Sequence, residues 1–316
     1  MSIVALAFLA VVAPFGLWND YLRDLLALSM IFAILALSLN VVVGYMGEMC
    51  FGHQMFFGIG AYTSALLSIH TGISPWLGIL IAVAGAAGFG FLVGLVALRA
   101  MRGVYLAIVT FGLGAILWQI VFNEHRLTGG ARGISGISRL SLPGVVFNDE
   151  VSLYYLGLVF LVATLYFFVR WERSRFGRAI VAVRENEELA RSVGINSYIY
   201  LVLTFTIAAA FAGLAGSLYA HFLTVVNPYL FAPPYLLAMI IMVIVGGKGT
   251  LGGPILGAFI YTFGLNLLPF SKEIDIVVFG VVLLALILLA PQGAYPYLRT
   301  LATRLVTRAS RRNQLV

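Results

Sequence analysis

Residues 25–43 read LLALSMIFAILALSLNVVV, nineteen residues without Asp, Glu, Lys or Arg. An α-helix rises about 1.5 Å per residue, so about 20 apolar residues span the roughly 30 Å hydrocarbon core of a bilayer. The run also lacks the period-2 alternation of apolar and polar residues that is typical of a membrane β-strand. It therefore predicts a transmembrane helix.

Nine further apolar runs have the same character. They lie near residues 3–18, 51–70, 76–98, 104–123, 151–169, 199–222, 235–247, 251–269 and 275–290. The run near 235–247 reaches the full length only with residues from 224–234. We interpret the run near 3–18 as an uncleaved span, because it lacks a basic start and a small-residue cleavage site. The expected fold is all-α, a polytopic membrane bundle of about ten transmembrane helices.

The composition of the whole chain supports this fold class. Of its 316 residues, 62% are hydrophobic and only 10% are charged, whereas soluble domains carry about 25% charged residues. Soluble enzymes, disulfide scaffolds and disordered chains are excluded on this ground, and Cys50 alone cannot form an intrachain disulfide. The 34 glycines fit close helix contact in lipid. We interpret the G-x-x-x-G spacings Gly90/Gly94 and Gly253/Gly257 as packing within the bundle.

The net charge of +7 indicates topology rather than a nucleic-acid partner. Cytoplasmic loops of membrane proteins carry an excess of Lys and Arg. If both termini are cytoplasmic, fourteen of the nineteen basic residues fall on the cytoplasmic side. The five on the other side are Arg23, Arg126, Arg132, Arg139 and Lys272. We therefore expect both termini in the cytoplasm and membrane lipid around the bundle.

The spans and charges predict a single transmembrane domain over residues 1–316. It has an external loop over 124–150, a cytoplasmic loop over 170–198 and a basic cytoplasmic tail over 292–316. The external loop repeats glycine among mixed charges. It is either a structured loop that shapes an entrance or contacts a partner, or a flexible surface loop.

The chain carries no recognisable catalytic or metal-binding pattern. Residues 246–250 read GGKGT, but Met242 stands where a phosphate-binding loop needs its first glycine and Gly249 stands where it needs Ser or Thr. The four histidines show no metal-ligand spacing. Buried ionisable groups, which ion-coupled carriers use, are almost absent from the spans. An ion-coupled carrier and an intramembrane enzyme are disfavoured, and we expect no cofactor in this chain.

Two glycine-rich turns join apolar runs on the same predicted side. One is GYMGEMCFGHQ over residues 44–54, and the other is GGKGTLGGP over residues 246–254. They indicate either a weak internal duplication or a chance similarity. The predicted turn or hinge glycines are Gly44, Gly47, Gly246, Gly247 and Gly249. Non-helical backbone at membrane depth is tolerated where it lines a cavity or is buried in protein. We predict that Gly52, His53, Gln54 and Gly58 line a translocation pathway. The alternative for the two polar residues, His53 and Gln54, is helix capping or hydrogen bonding between helices.

The cytoplasmic residues 178–196 predict a short helix parallel to the membrane. Ala182, Glu185, Leu189 and Ser192 would share one face, and Gly194 is placed to stop the helix. The spacing by itself leaves two interpretations open. The helix either docks on a soluble protein or is a solvated connector.

At these residues the chain resembles the membrane subunits of branched-chain amino-acid ABC importers, on the LivM side of the LivH/LivM pair. The resemblance runs from about Leu25 to Pro291 and is most specific in the cytoplasmic segment. There the family pattern E-A-A, followed after three residues by Gly, appears as Glu188-Leu189-Ala190 and Gly194. Further matching segments are 44–67, 103–136, 173–221 and 246–258.

The resemblance implies a role for the cytoplasmic segment. It implies that 178–196 holds a helix that docks on an ATP-binding subunit, with the coupling residues Arg184, Glu185, Glu188, Leu189, Ala190 and Gly194. It also implies a second, LivH-like permease subunit, two ATP-binding subunits that hold ATP and Mg²⁺, and a periplasmic or lipoprotein substrate-binding protein. The expected location is the bacterial cytoplasmic (inner) membrane.

The substrate implied by the resemblance is a branched-chain or related hydrophobic amino acid. Related permeases also carry urea, short amides and aromatic or other carboxylates. Leu189 replaces an alanine of the motif and Leu201 replaces a lysine, while Cys50 and Gln54 stand where the family usually has Ser and Ala. Because Gln54 adds a polar group near the expected pathway, the substrate stays open at this stage.

Overall fold

The computed structural model describes residues 19–142, 145–146, 149–266 and the isolated positions 280 and 293–295. The expected spans near 3–18 and 275–290 and nearly all of the basic tail lie outside the described residues. Within them the chain is helical, with the long helices α1 Asp20–Asn40, α2 Gln54–Thr71, α3 Pro75–Ala100, α4 Val104–Asn123, α6 Glu150–Arg173 and α9 Ser197–Leu223.

Shorter elements connect these helices. They are the helices α5 His125–Thr128, α7 Arg175–Glu185, α8 Glu187–Ser192, α10 Pro233–Gly246 and α11 Gly252–Asn266, and the 3₁₀ turns Gly130–Arg132 and Pro228–Phe231. The strands are β1 Ile134–Ser135, β2 Ser141–Leu142, β3 Val145–Val146 and β4 Val225–Val226. A π-helical turn, Val41–Met46, continues α1.

Among the described residues, five helices are long and apolar enough to cross a membrane. They cover Asp20–Met46, Pro75–Ala100, Val104–Asn123, Val151–Glu172 and Ser197–Leu223. This agrees with a multi-pass α-helical membrane protein. The run expected near 51–70 begins as a helix only at Gln54, because residues 51–53 form part of the preceding turn.

The expectation that residues from 224–234 would complete a span near 235–247 is largely wrong. Helix α10 has 14 residues and is therefore about 21 Å long. Thr224 adopts a left-handed conformation with φ 58°, and Pro228 and Pro233 cannot donate to a helix ladder. The segment 224–232 instead forms strand β4 and a 3₁₀ turn.

Helix α9 is the centre of the bundle and packs mainly on α2, α3 and α1. Small residues allow this close approach. A Cβ atom at Gly60 would collide with the Gly213 carbonyl oxygen, and one at Gly90 would collide with the Ala209 side chain. A Cβ atom at Gly257 would collide with the Met242 carbonyl oxygen. Both G-x-x-x-G pairs thus contact helices of the same chain, as predicted.

The loop over residues 124–142 is structured, so the flexible alternative is wrong for this part. Strand β1 pairs with β4 in an antiparallel register that sets Ile134 opposite Val226. Nε1 of Trp76 donates to the Ser141 carbonyl oxygen at 2.8 Å. His221 adds a third attachment, since its Nδ1 donates to the Ser138 carbonyl oxygen at 2.6 Å. These contacts fix the loop to one end of the bundle.

Candidate functional site

The segment 174–196 forms two helices rather than the single helix predicted over 178–196. Asn186 separates α7 from α8 and is extended, with φ −158° and ψ 103°. Its Oδ1 accepts a hydrogen bond from the Leu189 amide at 2.9 Å. A capping residue needs extended backbone geometry, so the cap that starts α8 also ends α7. The face predicted to join Ala182 to Ser192 is therefore interrupted.

Gly194 ends α8, as predicted. It has φ 88°, a conformation that glycine adopts without steric penalty. Its amide donates to the Arg191 carbonyl and the Ile195 amide donates to the Ala190 carbonyl, both at 3.0 Å. This pair of bonds is a Schellman motif. Ala190 is buried at the centre of the motif.

The outward side of this segment is apolar and acidic. Leu189 and Val193 expose 63% and 71% of their surface, and Glu185 and Glu188 are also exposed. These four residues form the outward ridge of the segment. Within the described residues, no other part of the chain covers the two apolar side chains of this ridge.

Arg184 lies on the inward side of the segment instead. Its Nη1 donates to the Gly44 carbonyl oxygen at 2.6 Å, and it also contacts Glu185. Its aliphatic part covers Gly47, where a Cβ atom would lie 2.5 Å from Arg184 Cγ. Gly47 has φ 78°. The arginine therefore joins α7 to the turn that follows α1.

The two glycine-rich turns identified in the sequence meet at this point. Oδ1 of Asn40 accepts from the Gly249 amide at 2.8 Å, and its Nδ2 donates to the Thr250 carbonyl oxygen at 2.9 Å. A Cβ atom at Gly44 would lie 2.5 Å from the Gly249 nitrogen, and one at Gly246 would collide with the Gly253 carbonyl oxygen. Gly247 has φ 119°. The predicted turn glycines are thus places of close backbone contact.

A set of charged side chains joins the same region to the start of α4. Arg102 lies 3.6 Å from Glu48 and 3.6 Å from Glu187, measured from guanidinium nitrogens to carboxylate oxygens. Oε2 of Glu48 accepts from the Gly103 amide at 2.6 Å. Arg191 completes the set at 2.6 Å from Glu187. Burial raises the pKa of the Glu48 carboxyl, and the Gly103 amide and Arg102 oppose that rise.

The polar pair of the predicted pathway is completely enclosed. His53 and Gln54 expose 0% and 1% of their surface. The Ser38 hydroxyl donates to the Leu35 carbonyl at 2.6 Å, so the 2.9 Å contact between Ser38 and His53 Nε2 requires Nε2 to donate. His53 Nδ1 is then an acceptor. In the described part of the chain neither this nitrogen nor Gln54 Oε1 has a hydrogen-bond partner.

The two glycines of the predicted pathway lie in tight contacts. A Cβ atom at Gly52 would collide with the Thr110 carbonyl oxygen. One at Gly58 would lie 2.5 Å from the Phe231 ring. Gly52 thus lies against α4, and Gly58 lies against the 3₁₀ turn Pro228–Phe231.

Sequence reasoning missed three residues of this region: Asn40, Arg102 and Glu187. Asn40 had a usable signal, because it is a carboxamide in an otherwise apolar run and such groups need partners. Arg102 and Glu187 had no such signal. In the sequence each is one of several charged residues near a span. Their proximity follows only from the folded structure.

The sequence matches known permeases over most of its length. Residues 21–290 match the family described as branched-chain amino acid transport system, permease component. The LivM permease protein of high-affinity branched-chain amino acid transport in Escherichia coli strain K12 is 35% identical, over 95% of this chain and 75% of that protein.

More distant relatives include the second permease of such systems. The LivH permease protein of the same E. coli strain is 30% identical, over 83% of this chain and 90% of that protein. The BraD permease protein of Pseudomonas aeruginosa is 29% identical, over 86% of this chain and 95% of that protein. This chain belongs to the family of permease components of branched-chain amino acid transport systems.

Proposed function

We propose that this chain is the LivM-type membrane subunit of an ABC importer. It forms half of the translocation pathway for branched-chain or related hydrophobic amino acids, and a LivH-like subunit forms the other half. The observation that carries the proposal is the 35% identity to a LivM protein over 95% of this chain. In this proposal about ten spans lie in the bacterial cytoplasmic membrane with both termini in the cytoplasm.

Energy comes from two ATP-binding subunits, which hold ATP and Mg²⁺. The outward ridge of Glu185, Glu188, Leu189 and Val193 docks on one of them. Two exposed apolar side chains flanked by carboxylates suit a groove with an apolar floor and a basic rim. Gly194 fixes the end of α8 and so holds Val193 at the edge of the ridge.

Docking movements reach the pathway through the inward contacts of the same segment. Arg184 contacts the Gly44 carbonyl, and that turn leads directly to His53 and Gln54. Both side chains are enclosed in the described packing, and when movement of the turn exposes them, their two acceptor atoms suit a ligand that donates hydrogen bonds, such as the ammonium group of an amino acid. A substrate-binding protein delivers the substrate at the opposite end, where the loop 124–142 is fixed to the bundle.

The test is uptake into proteoliposomes that contain this chain with its cognate permease, ATP-binding and substrate-binding subunits. Labelled leucine, isoleucine and valine are expected to accumulate only with ATP, and Glu188→Lys and Gly194→Pro are expected to abolish uptake. Full transport by both variants would contradict the docking assignment. Uptake of urea, a short amide or an aromatic carboxylate in place of the three amino acids would assign another substrate. Uptake abolished by an ionophore but independent of ATP would indicate a secondary carrier.

A further inference from the structure

The break at Asn186 gives the two helices of the 174–196 segment separate attachments to the bundle. Helix α7 contacts the turn after α1 through Arg184 and Gly44. Helix α8 contacts a different place, because Glu187 lies 3.6 Å from Arg102, at the connection between α3 and α4. The two helices can therefore act on different parts of the permease.

Arg102 is held firmly at its position. Its Nη1 donates to the Leu98 carbonyl oxygen and to the Met101 carbonyl oxygen at 3.2 Å, which fixes the side chain at the end of α3. The remaining guanidinium nitrogens face Glu48 on one side and Glu187 on the other. The Arg102 side chain is 32% exposed, Glu187 31% and Glu48 11%. Partly buried charge pairs are screened less than fully exposed pairs, and loss of Arg102 would leave the charge of the more buried Glu48 uncompensated.

The contacts beyond Arg102 lead along α4 to the predicted pathway. Glu48 binds the Gly103 amide at the start of α4 at 2.6 Å. The Phe51 amide donates to Thr110 Oγ1 at 3.1 Å, two turns further along. Gln54 lies beside Gly114, where a Cβ atom would lie 2.9 Å from Gln54 Nε2. The residues 48–54 and the first three turns of α4 are thus joined at three successive levels and form one unit.

We infer that Arg102 is a positioning residue that transmits movement of α8 to this unit. When α8 moves, Glu187 carries Arg102 together with the α3–α4 connection to which it is fixed, and this connection carries Glu48, α4 and the residues up to Gln54. The inference rests on the proposed function, because it assigns a route between the docking ridge and the pathway. A purely structural contact would affect only the stability of the permease. A contact that transmits movement also determines how much substrate is transported for each ATP hydrolysed.

The experiment measures leucine uptake and ATP hydrolysis together in the reconstituted importer. Arg102→Gln and Glu187→Gln are each expected to lower the leucine transported per ATP by about fivefold or more, while the hydrolysis rate stays within about twofold of the unchanged protein. The double variant is expected to lose less than the product of the two single losses, because both substitutions break the Arg102–Glu187 contact and each breaks only one further pair, Arg102–Glu48 or Glu187–Arg191. Arg102→Lys keeps the positive charge and is expected to recover most of the ratio.

The matched control is Asp20→Asn. It breaks the 2.7 Å ion pair between Asp20 and Arg23, which lies at the start of α1 and away from the 174–196 segment. The leucine-to-ATP ratio is expected to stay unchanged in this variant. Arg102→Gln leaves Glu48 without its ion-pair partner and can reduce assembly. If the arginine variant does not assemble, Glu187→Gln tests the inference alone, because Glu187 is less buried than Glu48.

Three results would overturn the inference. One is an unchanged ratio in Glu187→Gln, the second is losses that multiply in the double variant, and the third is a parallel fall of uptake and hydrolysis. Failure of the proposed function gives a different result, because the unchanged importer would then show no ATP-dependent uptake of leucine, isoleucine or valine.

Discussion

Asn40 and Gly249 lie 209 positions apart in the chain and are joined by a hydrogen bond of 2.8 Å from the Gly249 amide to Asn40 Oδ1. The same carboxamide donates to the Thr250 carbonyl oxygen at 2.9 Å. One fully buried side chain therefore satisfies a donor and an acceptor of the second glycine-rich turn. It ties that turn to the end of α1, beside the Gly44 carbonyl that Arg184 binds.

Asn40→Leu is expected to destabilise the permease by about 1–3 kcal/mol, because it leaves two partly buried backbone groups without these partners. Thermal unfolding of the detergent-solubilised protein measures the change. Asn123→Leu is the control, since Asn123 also donates to a backbone carbonyl, that of Gln119 at 2.8 Å, but is exposed. Equal effects of the two substitutions would show that the Asn40 contacts contribute nothing specific.

Gly60→Ala is expected to destabilise the α2–α9 contact by about 1–3 kcal/mol, because the added methyl group meets the rigid Gly213 backbone. Gly85→Ala is the matched control within a helix, since no atom lies within 4 Å of a Cβ atom at Gly85. The control is expected to be neutral or slightly stabilising, by up to about 1 kcal/mol, because alanine favours helix more than glycine. Unfolding temperatures of both variants test the prediction, and a neutral Gly60→Ala would contradict it.

Gly194→Val is expected to impair docking on the ATP-binding subunit, because a β-branched residue cannot hold a φ of 88° without strain. The strain is about 1–2 kcal/mol. Gly194→Asn is the permissive counterpart, since asparagine tolerates this conformation better than valine. Co-purification of the ATP-binding subunit with each variant measures the effect. Normal co-purification with the valine variant would show that this end of α8 does not contribute to docking.

His221→Phe is expected to loosen the loop 124–142. Nε2 of His221 lies 2.7 Å from Ser64 Oγ in a buried contact, and Nδ1 donates to the Ser138 carbonyl in a partly buried one. The phenylalanine loses both hydrogen bonds, worth about 1 kcal/mol each. Limited proteolysis is the measurement, and faster cleavage within the loop is the expected result. His70→Phe is the control because His70 is exposed. Unchanged cleavage of the His221 variant would mean that strand pairing alone holds the loop.

The sequence predicted the local backbone correctly where local chemistry decides the structure. Gly194 ends α8 because a helix end needs a left-handed residue, and the spacing after the Glu188-Leu189-Ala190 motif already marked it. The same segment also shows where local reasoning failed. Helical periodicity continues through Asn186, yet the asparagine side chain caps a second helix and interrupts the first.

The amino-acid pattern alone indicates that the chain lies in lipid and shows where most of its helices run. Hydrocarbon thickness and backbone hydrogen bonding leave little other choice for uncharged runs such as 25–43. It also marked the glycine turns and the segment 178–196, because unusual residue types stand out locally.

Tertiary packing determines which of these features are in contact. The meeting of Asn40 with Gly249, the contact of Arg184 with Gly44 and the place of Arg102 between Glu48 and Glu187 all join residues far apart in the chain. Tertiary packing also gives residues 224–232 a non-α-helical backbone and places the Phe231 ring against Gly58. Such contacts depend on how helices pack against one another, and the periodicity within a single helix carries no information about its neighbours.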